Sequence, residues 1–280
     1  MTHVWNRSEA ARLLRRPTPD DDKYSRGVLG VRTGSERYPG AAVLGVEAAH
    51  RAGVGMVRYL GPDRALSFVL ARRPETIGAD GRVQAWLVGS GTDAADRHPD
   101  EAVALRSILD GDVPVVVDAG ALDLVVGRVG AAPVIVTPHA REHVRLRAAA
   151  GLPPIDEDSL DARVAAAVGT ARALGVAVLL KGAQTVVATP AGWTRIVDAP
   201  TAWLSTAGTG DVLGGVLGAL VAAAAASDVE HLGPLAATAA LVHGEAAAAA
   251  SEARNGGPVA ALDVADAVAS VVGSMLRSGE

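Results

Sequence analysis

Residues 204–215 read LSTAGTGDVLGG. A single carboxylate, Asp211, closes a loop of hydroxyl-bearing and small residues, Thr206-Ala207-Gly208-Thr209-Gly210, and an apolar run follows it. Backbone N–H groups of a Gly/Thr loop entering a helix converge on an anion, and the positive end of the helix dipole adds to the attraction. An aspartate just past such a nest does not bind the phosphate, because like charges repel. Its chemistry is that of a base taking a proton from a hydroxyl that attacks a phosphoryl group. The plainer reading makes Asp211 a cap of the next helix.

Five further segments place distinctive residues where strands should end. They are VRTGSERYPGAA (31–42), LVGSGT (87–92), VVVDAGALD (115–123) with Asp118, IVTPHARE (135–142) with His139, and LLKGAQT (179–185) with Lys181. Each has an ordinary alternative: tight turns for the glycines, a helix cap for Asp118, a surface or hydrogen-bonded core imidazole for His139, a solvated charge for Lys181. Lys181 stands out because the chain has only one other lysine, Lys23, among 26 basic residues. It also lies between an apolar strand and a glycine. The G-x-G-x-x-G fingerprint is not matched after the first strand, and no G-x-x-x-x-G-K-[ST] loop occurs.

The elements that must hold these residues follow from periodicity. Short β-branched runs at 27–34, 56–61, 85–91, 114–120, 133–139 and 177–183 read as buried strands, and a hairpin is expected over 184–197 around Pro190-Ala191-Gly192. Ala-rich helical stretches lie between several of them, at 41–53, 99–111 and 160–175, and the chain turns helical at 211–226, 234–252 and 263–277. Strand–helix–strand repetition implies an α/β fold: a central, mostly parallel sheet with helices on both faces, in three α/β/α layers. Its strand ends share one crevice for ligands. Residues 23–280 are read as one domain and 1–22 as an extension; the first twenty or so residues and the Pro/Asp-rich 151–159 are the expected mobile pieces.

Composition narrows the partners. Aromatic residues are only 3% of the chain, so the core must be built from small aliphatic side chains. A net charge of −5 gives no attraction to nucleic acid or an anionic membrane. With no cysteine, disulfides and thiolate metal sites are excluded. The N-terminus is polar and charged, unlike a secretory signal. The longest apolar run, Val212–Ala226, is short of the roughly 20 residues of a membrane span. The chain is read as soluble and cytoplasmic.

TAGTGDVLGG resembles the anion-hole and base motif of ribokinase-like proteins. The order YPGAA, GSG, VDAGALD, TPH-x-x-E, KGAQT and AGTGDVLGG, with LVHGEAA at 241–247, is similar to the nucleotide-dependent NAD(P)H-hydrate dehydratases, over about residues 23–275. The resemblance implies a ribokinase-like fold and roles for individual residues. Ala41, Gly89, Gly91, His139 and Asp211 would line the site of the hydrated dinucleotide, with Asp211 as the base. Lys181, Gly182, Ala183, Gln184 and Thr185, with Gly208, Thr209 and Gly210, would hold ADP or ATP. Mg²⁺ would neutralise the transferring phosphoryl group, held mostly by phosphate and water because no carboxylate cluster is visible.

The same resemblance implies that the ring hydroxyl of the S-epimer of NADHX or NADPHX is phosphorylated, and that loss of phosphate restores NADH or NADPH. A homo-oligomer, as a tetramer, and a separate epimerase as functional partner also follow from it. Three segments depart from the family pattern. His139-Ala140-Arg141-Glu142 replaces His-Pro-Gly-Glu, DAPTAWLSTAG replaces an asparagine-rich approach with Ala207 for a glycine, and GSGTD replaces a GPGLG-like turn. Two other readings remain: a ribokinase-like kinase of a small alcohol, using the same Asp211, and a nucleotide-sensing module without catalysis.

Overall fold

The computed structural model describes residues 3–155 and 159–278. Eight strands form one sheet: β1 (Val28–Arg32), β2 (Met56–Tyr59), β3 (Ala85–Val88), β4 (Val115–Val117), β5 (Val134–Val136), β6 (Ala177–Leu180), β7 (Gln184–Ala188) and β8 (Thr194–Asp198). Their order is β2-β1-β3-β4-β5-β6-β7-β8. The first six run parallel, and β7 and β8 form the expected antiparallel hairpin. Connections leave β1 and β3 in opposite directions, so the topological switch lies between these neighbours, where a ligand crevice opens at the carboxyl ends.

Nine helices are described: α1 (Arg7–Ala11), α2 (Gly40–Arg51), α3 (Asp63–Arg72), α4 (Pro99–Leu109), α5 (Ala140–Ala149), α6 (Leu160–Leu174), α7 (Thr209–Ala224), α8 (Val229–Glu252) and α9 (Ala261–Ser278). Strand residues alternate between two cores, as the pleat requires. Val116 and Leu179 face the layer of α2, α7, α8 and α9, while Val115, Val117 and Leu180 face that of α4 to α6. Both faces are covered, which is why these strands read as unbroken β-branched runs. Among the described residues no helix is long and apolar enough to cross a membrane.

Three helices were not apparent from periodicity: α1, α3 and the arginine-rich α5. Helix α8 begins at Val229, not 234, because Asp228 caps it through the N–H groups of Glu230 and His231, and Pro234 is carried inside. Within the segment expected to be mobile, residues 4 and 5 are packed onto the sheet. Trp5 is buried edge-on against Trp193, donates to Thr238, and its neighbour Val4 bridges Ile196. Burial of a large indole outweighs the entropy that a polar segment would keep. Of the other expected mobile piece, 151–159, residues 156–158 lie outside the described residues.

Helix α7 is brought to the switch point by close contact with α2. A Cβ on Gly215 would stand 2.1 Å from the Gly45 carbonyl oxygen and 2.9 Å from the Ala48 Cβ. Gly215→Ala should therefore push the helices apart and cost about 1–3 kcal/mol. Urea unfolding checks this; a midpoint equal to the parent's would show that the contact yields freely.

Candidate active site

The loop before α7 owes its shape to its glycine and its hydroxyls. Gly208 is left-handed (φ 88°), and a Cβ there would meet Leu44 Cδ1 at 2.5 Å. Thr206 Oγ1 donates to the Trp203 carbonyl, and Thr209 Oγ1 reaches the carbonyls of Leu204 and Thr206. The two hydroxyls thus stitch the loop. What the loop offers an anion is backbone: the Thr209 N–H turns back to the Thr206 carbonyl, while the Gly210 and Asp211 N–H groups open the helix with no side chain capping them.

Asp211 stands in that first turn. Burial raises its carboxyl pKa to about 7, the nearby Asp118 charge adds to the rise, and Lys181 opposes it. A carboxyl poised near neutrality suits a general base. Lys181 lies at the end of β6, and its ammonium is 3.7 Å from where a Cβ on Gly210 would sit. It pairs with Asp118 Oδ1 at 2.8 Å and lies 3.8 Å from Glu142 Oε2. Burial disfavours its charge, but Asp118 and Glu142 outweigh burial and raise its pKa.

Asp118 was read as a strand-end residue or a helix cap. It occupies the cap position of a 3₁₀ turn without a side-chain cap bond, and Ala119 follows it in a left-handed conformation (φ 44°). Its buried carboxylate instead accepts from Lys181, from Thr137 Oγ1 at 2.7 Å and from Ser90 Oγ at 3.0 Å. Burial would raise this carboxyl, but the Lys181 charge and these bonds hold it below the usual range. Four adjacent strand ends, from β3 to β6, therefore meet on one carboxylate. The pair joins residues 63 positions apart, so no local motif could have announced it.

The expected nucleotide residues largely come together. Lys181, Gly182, Ala183, Thr185, Thr209 and Gly210 line one cavity of about 360 Å³, with an apolar side from Leu204, Leu213 and Ala240. Gln184 and Gly208 do not line it; the Gln184 amide turns to Asp198 across the hairpin. His243, in the LVHGEAA segment, lines the same cavity.

The residues expected around a dinucleotide are spread along the strand ends. Ala41 packs on Gly91, where any Cβ would come within 2.3 Å of the Ala41 Cβ, and Gly89 lies against Asp118 and Ala121. A second cavity of about 300 Å³ opens beside them, lined by Gly34, Tyr38, Thr92 and His98. His139 caps α5: its Nδ1 accepts from the N–H groups of Arg141 and Glu142, while the Glu142 carboxylate accepts from the His139 N–H. That use of Nδ1 leaves the proton on Nε2, half exposed and 3.5 Å from Glu142 Oε1. The His-x-x-Glu pair thus survives Ala140-Arg141 because it serves as a capping box.

A family model described as NAD(P)H-hydrate dehydratase matches residues 29–269. The bifunctional NAD(P)H-hydrate repair enzyme Nnr of Mycobacterium tuberculosis is 50% identical over 220 residues, 74% of this chain and 43% of that protein. The ADP-dependent (S)-NAD(P)H-hydrate dehydratase of Neisseria meningitidis serogroup B is 33% identical over 219 residues, 72% of each. The chain spans less than half the length of the first of these relatives.

Solved structures show the same fold at lower identity. The ADP/ATP-dependent NAD(P)H-hydrate dehydratase from Bacillus subtilis, co-crystallized with ATP/Mg²⁺, has a TM-score of 0.84 at 24% identity, covering 98% of this chain and 99% of that one. A ribokinase-like superfamily protein from Enterococcus faecalis has a TM-score of 0.82 at 20% identity, covering 98% and 96%. The architecture is ribokinase-like, and with its motifs assembled in the family's order the chain belongs to the NAD(P)H-hydrate dehydratase family.

Proposed function

We propose that the chain uses a nucleotide, ADP in the first place and ATP as the alternative donor, to dehydrate the S-epimer of NADHX or NADPHX. The observation that carries the reading is Asp211, a carboxyl poised near pH 7 beside an anion-binding helix start and an ammonium. Asp211 takes the proton of the ring hydroxyl. The freed oxygen attacks the terminal phosphorus, and the bond to the bridging oxygen breaks, so ADP leaves as AMP. The α7 N–H groups and Lys181 hold the phosphoryl oxygens while their charge shifts.

The ring nitrogen lone pair then expels phosphate from the substrate carbon, and the neighbouring carbon loses a proton to complete the double bond. Mg²⁺ supplies charge neutralisation at the phosphoryl group when bound. Among the described residues no group of three or more His, Asp or Glu is set to hold a metal, and Asp118 and Glu142 already face Lys181. The ion's donors would be mostly phosphate and water, and Asp211, Lys181 and the loop keep the roles given above. An epimerase working alongside, homo-oligomeric assembly as a tetramer and a cytoplasmic setting complete the reading. The term "bifunctional" for the Mycobacterium relative supports the first of these.

The test is absorbance at 340 nm with Mg²⁺, the hydrate and ADP or ATP. A nucleotide-dependent rise is expected, and kcat/KM should climb with pH through about 7 as Asp211 loses its proton. Nucleotide bound but a flat trace with both donors would transfer the reading to the small-alcohol kinase, which the family membership does not favour.

A further inference from the structure

The nucleotide cavity has a polar wall group that the mechanism above leaves unused. His243 in α8 is 7% exposed, and its ring rests against the backbone carbonyl of Thr209 in the anion loop. Its Nε2 is buried and has no hydrogen-bond partner. Burial holds the ring's pKa down to about 4, with the Thr209 contact opposing and Lys181 assisting, so the imidazole is neutral at working pH. A neutral imidazole carries one N–H and one lone pair. With the N–H given to Thr209, the lone pair falls on Nε2.

Buried polar nitrogens in folded proteins are nearly always paired, and an unpaired one on a residue that lines a cavity marks a missing partner. Neighbouring side chains do not supply it. No lining side chain bonds to Nε2: Thr185 Oγ1 gives its proton to the Gly182 carbonyl, and Leu204, Leu213 and Ala240 are apolar.

We propose that His243 is a nucleotide-positioning residue whose Nε2 accepts a hydrogen bond from the nucleoside part of the phosphoryl donor, either a ribose hydroxyl or an exocyclic amine. Because the same ring touches Thr209, this bond ties the nucleoside to the loop that holds the phosphates. The proposal rests on the nucleotide reading of the cavity, and on no step of the dehydration.

Isothermal titration calorimetry on the whole chain tests it with ADP against the parent, His243→Phe and His243→Gln, each checked for folding by circular dichroism. Phe keeps the ring's bulk without its nitrogens, and Gln places an acceptor near the Nε2 position. The Phe variant should bind ADP about five- to tenfold more weakly, with Gln close to the parent. Inosine diphosphate lacks the amine and 2′,3′-dideoxy-ADP lacks the hydroxyls; the analogue missing the donor should bind the parent and the Phe variant alike. Unchanged ADP affinity in a folded Phe variant overturns the proposal, as does an equal loss for all three nucleotides with Gln no better than Phe, which would mean packing alone. A parent that binds no nucleotide overturns both readings. A parent that binds ADP but does not restore the hydrate overturns only the dehydratase.

Discussion

Asp211→Asn should bind nucleotide as the parent does yet lose three or more orders of magnitude in turnover, because the hydroxyl no longer has a base. The same substitution should stabilise the protein. The Asp211 carboxyl titrates near 7 when folded against 3.8 for its ordinary value, so between these pH values the folded chain holds a proton that the unfolded chain releases. Stability therefore falls as pH rises through that window, and above 7 the penalty is complete. Asparagine removes it. The expected gain is about 1–3 kcal/mol at pH 8, after discounting for the carboxylate's partial exposure, and close to nothing near pH 4. Thermal melts at the two pH values check this together with the 340 nm assay. Near-parental turnover would end the case for Asp211 as the base, and equal melting temperatures at pH 8 would show that solvent already relieves the carboxylate.

Lys181→Met has the second large effect, and it falls on folding as well as on function. Removing the ammonium leaves the Asp118 carboxylate buried with only the Thr137 and Ser90 hydroxyls. A buried charge stripped of its partner costs about 3–5 kcal/mol. Phosphoryl transfer should fall too, since the ammonium flanks Gly210. The double variant Lys181→Met, Asp118→Asn should recover much of the stability and none of the activity. Urea midpoints of the parent, the two single variants and the double variant form the cycle that decides it. A Lys181→Met protein as stable as the parent would mean that Asp118 simply takes up a proton at negligible cost.

How much of this was legible in the sequence depends on where each interaction lies along the chain. Strands β4 and β5 are three-residue β-branched runs buried on both faces, and such runs are visible without any partner. The loop and Asp211 sit within six consecutive residues, so their proximity was readable. Helix α5, AREHVRLRAA, buries only His143, Leu146 and Arg147, and a stripe that includes charged residues escapes a search for apolar periodicity. The Asp118–Lys181 pair is a product of sheet topology, since β4 and β6 flank β5 and bring together what the sequence separates. The direction of a hydroxyl is equally hidden. Thr209 was expected at the nucleotide, and the fold turns its hydroxyl, like that of Thr206, onto backbone carbonyls just before it.

The contact of the first residues with β8 has a consequence for how copies of the chain meet. β8 is the last strand of the sheet, and an uncovered last strand offers a row of N–H and C=O groups to any other chain. Here Trp5 N–H donates to the Ile196 carbonyl and Ile196 N–H to the His3 carbonyl, while Arg195 lies over the rings of Trp5 and Trp193. The opening residues thus act as a cover strip that occupies the pairing groups of Ile196, at the middle of the rim, before a second sheet can. Their contribution is to colloidal behaviour: with the strip in place, concentrated protein is guarded at that rim against rim-to-rim stacking.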